Sequence, residues 1–311
     1  MAERDPLATN SDAACGFRTR LSEARPVILD GALGTLLESR GIACTLPLWS
    51  AHALLEAPDV IEAIHREYQA AGCEILTANT FRTQRRALSR GGIGDRAFEL
   101  TALAVELAKR ASAHAPRRCW VAGSAPPLED CYRPDRVPGD SELAAEHDDH
   151  ARNLARAGVD LILAETQIKV REARAAAAAA HRTGLPFGVS FVCGADSRLL
   201  SGESLEEALA AISEYEPSFV AVNCLPPRDA SASLEALLAA CDRLALDWPL
   251  GVYPNLGNPG PGGFRHASSP TELAEASSQW VRRGARIVGG CCGTNPEFTR
   301  ALVARIREDF A

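Results

Sequence analysis

One repeating pattern constrains this chain more than anything else. A short apolar run ends in small or polar residues, and a longer Ala/Leu/Glu/Arg-rich segment at helical spacing follows it. The apolar runs fall at 27–29, 75–76, 120–122, 161–163, 187–189, 219–222, 250–252 and 287–288, which makes eight candidate strands. Short, continuously apolar runs suit parallel strands buried on both faces. Helical segments are expected at 57–71, 141–157, 169–181, 204–214, 231–244, 270–283 and 296–307. Pro58 and Pro270 sit in first turns, Ser269 is placed as an N-cap, and Gly72 as a C-cap. The 169–181 segment is nearly poly-alanine, and alanine is the best helix former. Strands alternating with helices imply a parallel sheet with helices outside. Eight such units predict a single (β/α)8 TIM barrel over residues 26–311, preceded by a flexible lead-in at 1–25. A doubly wound open sheet is less favoured, because no GxGxxG follows an early strand.

Composition narrows the function classes. The net charge of -7 is carried by mixed, scattered residues, which gives no reason to expect nucleic acid as a partner. No run approaches the roughly 20 apolar residues of a membrane span. The polar N-terminus lacks the apolar stretch of a signal peptide. The expectation is therefore a cytoplasmic protein with small-molecule partners, with a homo-oligomer left open. In a reducing compartment the 10 cysteines are thiols, so an unusual cluster of them reads as metal-binding or catalytic before disulfide.

In this register the strand ends carry polar groups: Asp30-Gly31, Thr77 and Asn79, Ser124, Glu165-Thr166, Asn223-Cys224, Tyr253-Asn255 and Cys291-Cys292. Active sites of α/β barrels sit at that C-terminal face. A carboxylate at the end of an apolar run is costly to bury without a partner. Singly, Asp30 has a structural reading as a cap and Glu165 as half of an ion pair. Two Pro/Gly-rich loops, after the third and seventh strands, are candidate lids, and the second carries His266. The pair His147/His150 is expected on a solvated outer helix face.

Cys291-Cys292, flanked by Gly289-Gly290 and Gly293-Thr294, is the most informative dipeptide. Adjacent side chains on a strand point to opposite faces, so a bend must precede joint coordination, and glycines permit one. Cys224, two strands away around the ring, would reach the same mouth. Three thiolates suit Zn2+ and leave one coordination position for a substrate thiol. Buried packing cysteines and a vicinal disulfide are the bland alternatives.

These residues resemble the homocysteine S-methyltransferase family. Asp30-Gly31-Ala32-Leu33-Gly34-Thr35 is similar to its DGxxGT opening, and Thr77-Ala78-Asn79-Thr80-Phe81 to its TxNT[FY] motif. Glu165-Thr166, Val222-Asn223-Cys224 and Gly289-Gly290-Cys291-Cys292-Gly293-Thr294 follow in family order. The resemblance implies a single barrel that transfers a methyl group to the thiolate of homocysteine, giving methionine. It implies Cys224, Cys291 and Cys292 as zinc ligands. Asp30 and Glu165 would face the amino group of homocysteine, Gly31 would let the amino-acid head approach, and Asn79 and Asn223 would support the site by hydrogen bonds. The third-strand loop, Gly123-Ser124-Ala125-Pro126-Pro127, departs from the family's GSxGP pattern, which bears on the methyl donor. A sulfonium donor, S-methylmethionine or S-adenosylmethionine, is favoured, with Trp49, Phe81, Tyr132 and Tyr253 as candidate aromatic faces. The alternatives are a betaine-type donor, another thiol or selenol acceptor, or a zinc-binding or redox-sensing protein without turnover.

Overall fold

A computed structural model describes residues 16–115, 117–256 and 268–310, and the backbone of Pro259–Gly260 and Gly263–Phe264. All eight expected strands are present: β1 (Val27–Ile28), β2 (Ile75–Ala78), β3 (Trp120–Ser124), β4 (Leu161–Gln167), β5 (Phe187–Phe191), β6 (Phe219–Asn223), β7 (Leu250–Tyr253) and β8 (Ala285–Val288). Each lies parallel to its sequence neighbour from β2 to β8, and β8 pairs in parallel with β1. The ring closes where Leu29 bridges Ile75. There the Glu74 N–H donates to the Ile28 carbonyl at 2.7 Å, and the Asp30 N–H to the Ile75 carbonyl at 3.1 Å. The chain is a (β/α)8 barrel. A small antiparallel hairpin, Pro259–Gly260 with Gly263–Phe264, stands apart from it in the loop after β7.

The strands are mainly apolar up to their C-terminal ends because both faces are buried. Val27, Leu29, Ile75, Trp120, Ala122, Leu161, Leu163, Phe219, Ala221 and Ile287 form the barrel interior. Their alternating neighbours Ile28, Leu76, Val121, Ile162, Val220, Val252 and Val288 pack under the helices. Gly188 of β5 leaves the space that the Phe219 ring fills, since a Cβ there would lie 2.1 Å from it.

Eight helices, each following a strand, form the outer layer. Seven match the expected segments within a few residues, the Pro227–Leu244 helix starting earliest. Ser269 caps the Pro270–Arg282 helix by accepting the Glu272 N–H at 3.2 Å. The eighth, Ala97–Ser112, is absent from the seven expected by spacing. It buries Leu100, Ala104, Val105, Leu107, Ala108 and Ala111, a stripe at helical period.

Two further expectations are corrected. Of the lead-in, residues 1–15 lie outside the described residues, but residues 16–22 are helical. Phe17 is fully buried there, edge-on to Trp120 and Phe219 with ring centroids 5.6 and 6.3 Å away. Arg20 fixes the segment by a two-pronged bond to Glu74, at 2.7 and 2.9 Å. The segment thus closes the N-terminal end of the barrel with apolar side chains. His147 and His150 are buried, not solvated. They share the inner stripe of the Asp140–Ala157 helix with Leu143, Ala151 and Leu154. His150 Nε2 meets the Ser124 carbonyl at 3.0 Å, and His147 Nε2 lies 3.5 Å from the buried Glu172 carboxylate.

Candidate metal centre and active site

The C-terminal ends of the strands open into a cavity of about 450 Å³, within the roughly 300–1,000 Å³ usual for small-molecule sites. Its lining includes Asp30, Gly31, Trp49, Thr77, Asn79, Phe81, Arg82, Tyr132, Glu165, Cys224, Tyr253, Cys291 and Cys292. Its walls come from the loops after β1, β2, β3 and β8.

The three expected cysteines meet here. Their Sγ atoms all lie within 4.8 Å of one another, and those of Cys224 and Cys292 are 3.7 Å apart. Tetrahedral bonds of about 2.3 Å would hold sulfurs roughly 3.8 Å apart, so the donor set and spacing fit Zn2+. Among the described residues this is the one cluster of its kind. Local backbone makes the meeting possible. Cys224 leaves β6 with φ 55, a left-handed conformation uncommon outside glycine and typical of functional sites. After β8 the chain turns through Gly289-Gly290, and the Cys291 N–H donates to the Pro254 carbonyl at 2.8 Å. The Cys224 thiol is held well below the ordinary thiol range by hydrogen bonds from Cys291 and Cys292, and those two are raised.

The first and last motifs lock together. The Gly290 N–H donates to the Asp30 carbonyl at 3.0 Å, the Ala32 N–H to Thr294 Oγ1 at 3.2 Å, and the Gly293 N–H to Thr35 Oγ1 at 3.0 Å. A Cβ at Gly31 would lie 2.5 Å from Thr294 Oγ1 and 2.8 Å from the Tyr68 hydroxyl. Packing between the motifs requires this glycine, a reason different from the ligand approach expected of it.

Asp30 and Glu165 are buried carboxyls, and neither forms an ion pair with a described cation. Asp30 accepts the Thr77 N–H at 2.7 Å and the Thr77 hydroxyl at 2.9 Å. Glu165 accepts the Ser124 hydroxyl. Burial pushes each carboxyl up to about 7, and the Asp30 and Cys224 charges add to the effect at Glu165. Two such groups at one cavity suit a ligand that brings its own positive charge.

The two asparagines differ. Asn79 lines the cavity, but its amide is spent on Ser50, accepting from the hydroxyl at 2.7 Å and donating to the carbonyl at 2.8 Å. It thereby fixes the neighbouring Trp49, whose ring packs edge-on against Phe81. Asn223 lies below the cavity lining. It accepts from Ser190 at 3.0 Å and donates to Thr166 Oγ1 at 3.1 Å, so it braces Thr166 beside Glu165 and its own chain neighbour Cys224.

The β3 loop expected as a lid lies over the thiols. Its Tyr132 hydroxyl sits 3.2 Å from Cys224 Sγ, and Cys131 lines the cavity. Sequence reading marks Tyr132 only as an aromatic face, because nothing in the loop's composition brings its hydroxyl to a sulfur. Of the β7 loop, His266 lies outside the described residues. Cys193 packs in the outer core, away from the mouth.

A barrel mouth with three converging thiols and two uncompensated carboxyls defines a thiol-handling enzyme site. The sequence model of the family described as homocysteine S-methyltransferase matches residues 27–306. The homocysteine S-methyltransferase of Escherichia coli K12 is 33% identical over 93% of this chain and 98% of its own. Homocysteine S-methyltransferase 4 of Zea mays is 30% identical over 96% of this chain and 94% of its own. The crystal structure of the homocysteine methyltransferase MmuM from Escherichia coli, metallated form, superposes with a TM-score of 0.78. It is 29% identical and covers 97% of this chain and all of that one. The chain belongs to the homocysteine S-methyltransferase family, and it is a methyltransferase. No helix among the described residues is long and apolar enough to cross a membrane.

Proposed function

We infer that the protein transfers a methyl group from a sulfonium donor, S-methylmethionine or S-adenosylmethionine, to the thiolate of homocysteine, giving methionine, with zinc held by Cys224, Cys291 and Cys292. The observation that carries this reading is the convergence of those three Sγ atoms within 4.8 Å beside two carboxyls without a cation. The metallated relative supports a metal in the same fold.

Bound zinc supplies acidity, lowering the pKa of an added thiol so that it reacts as a thiolate at neutral pH. The rest belongs to the chain. Asp30 and Glu165 take the ammonium of homocysteine, whose charge returns both carboxyls to the ionised form. Thr77 and Ser124 fix the two carboxyls, and Asn223 braces the backbone beside Glu165 and Cys224. Trp49 and Phe81 offer ring faces to the cationic donor. The homocysteine sulfur attacks the donor methyl carbon, a new S–C bond forms, and the old one breaks. Its electron pair leaves with a neutral thioether, so no general acid is required.

The test is metal analysis of the purified protein coupled to a homocysteine-dependent screen of S-methylmethionine, S-adenosylmethionine and betaine, with product identified by mass. Stoichiometric zinc and methionine from a sulfonium donor are expected. Turnover undiminished after complete removal of metal would falsify the zinc assignment, and methionine from betaine alone would overturn the donor class.

A further inference from the structure

Arg82 is the cationic residue, alone among the described ones, in the lining of the active-site cavity. It is 8% exposed, an unusual burial for an arginine without a carboxylate partner. Among the described residues no carboxylate oxygen lies within ion-pair distance of its guanidinium. Glu129 is engaged by Arg86 at 3.0 Å and Arg90 at 2.5 Å. Asp130, which also lines the cavity, acts on the guanidinium only through longer-range charge. Arg82 Nη1 donates to the Glu129 carbonyl at 3.2 Å, and Nε has no hydrogen-bond partner. The Phe81 ring centroid lies 5.4 Å from Cζ, within cation–π range. Burial lowers the Arg82 pKa from its ordinary value, but a guanidinium stays charged in a protein.

The cavity therefore has a sign pattern. Its lining carries both signs, the buried carboxyls Asp30 and Glu165 and the buried fork of N–H donors on Arg82. An amino-acid zwitterion matches both. We propose that Arg82 recognises a substrate carboxylate in this cavity, making it a specificity-determining residue for methyl transfer between amino acids. A planar fork pairs with a carboxylate through two parallel hydrogen bonds, and the buried setting makes that pairing selective. The inference rests on the reading of the cavity as the site where homocysteine meets its donor. Both molecules carry a carboxylate, and the experiment separates the two sources.

The experiment compares the zinc-loaded wild-type enzyme with R82Q and R82K. KM and kcat are measured for homocysteine and for S-methylmethionine. The same measurements use carboxyl-free analogues, 3-aminopropane-1-thiol as acceptor and the carboxamide of S-methylmethionine as donor. R82Q is expected to raise one KM by roughly ten- to hundredfold, the usual cost of a lost charge-assisted bond. The zinc content should be unchanged and kcat should shift less. Wild type should discriminate against the carboxyl-free analogue of that same substrate, R82Q should not, and R82K should recover part of the difference. A rise in the homocysteine KM assigns the acceptor, and a rise in the donor KM assigns the donor. Unchanged KM for both, or equal discrimination by wild type and R82Q, overturns the proposal. Calorimetric titration of methionine into the zinc-loaded proteins reads the same contact without turnover. Weaker binding to R82Q supports Arg82 even if no donor is used, whereas equal binding counts against it.

Discussion

The two ends of the barrel use the same eight strands for opposite purposes. At the N-terminal end Phe17 packs edge-on to Trp120 and Phe219, and Arg20 and Glu74 pair at the rim. Arg25 reaches the same Glu74 carboxylate at 3.4 Å. At the C-terminal end Asp30 and Glu165 form no ion pair with a described cation, and the backbone bends through left-handed Thr166 and Cys224. Burying charge without a partner and holding non-glycine residues at positive φ both cost stability. The N-terminal end is packed and ion-paired, and the C-terminal end holds the costly groups that its chemistry can use.

The contrast is sharpest if each end is broken separately. Cys292→Ser at the mouth should abolish zinc binding and methyl transfer, an effect beyond the roughly 10–100-fold expected of a supporting residue. Metal analysis with the activity assay checks this, and a zinc-replete, fully active variant would remove the metal centre from the account. Phe17→Ala at the floor should lower unfolding free energy by about 3–5 kcal/mol, as for other buried aromatics. Its kcat below the melting transition should stay close to wild type. Denaturant titration beside kinetics reads both, and a catalytic loss without a stability loss would mean the two ends are coupled.

Asn223→Ala tests the layer between them. It should lower zinc affinity or turnover by roughly 10–100-fold, since Asn223 acts on the site through its hydrogen bonds with Ser190 and Thr166. Competition with a chelator measures the affinity. Asp30→Asn is the smallest effect and the most direct probe of stored cost. Burial raises the Asp30 pKa from 3.8 to about 7, so the folded chain holds this proton more tightly than the unfolded one. The stability it contributes is complete below about pH 4 and lost as pH rises through 7. The amide carries no charge to bury, so in the metal-free protein the variant should melt higher than wild type at pH 8 by on the order of a few degrees. The margin should shrink towards pH 5, while homocysteine use falls. A margin independent of pH would show that Asp30 is not the titrating group.

Much of this was legible in the residues. Parallel strands buried on both faces must be continuously apolar, so all eight stand out, and helix starts such as Ser269-Pro270 carry their own chemistry. The Ala97–Ser112 helix carries the same kind of signal, a buried stripe at helical period. Other features had no local signal. Phe17 lies in a polar-looking stretch, and only the open end of a barrel gives it somewhere to go. His147 and His150 sit among charged residues, and their burial depends on which face of the helix meets β3.

By itself the sequence determined the alternation of strands and helices, and with it which residues fall at strand ends. Those follow from hydrophobic period and turn chemistry, which act over a few residues. Only the tertiary structure decided that Cys224 and Cys292, 68 residues apart, bring their sulfurs to 3.7 Å. It alone decided that Tyr132 reaches one of them, and that Arg82 is buried in the same cavity with no ion-pair partner among the described residues. Ring closure sets those distances, and a distance between segments far apart in sequence is a property of the closed sheet that no local pattern encodes.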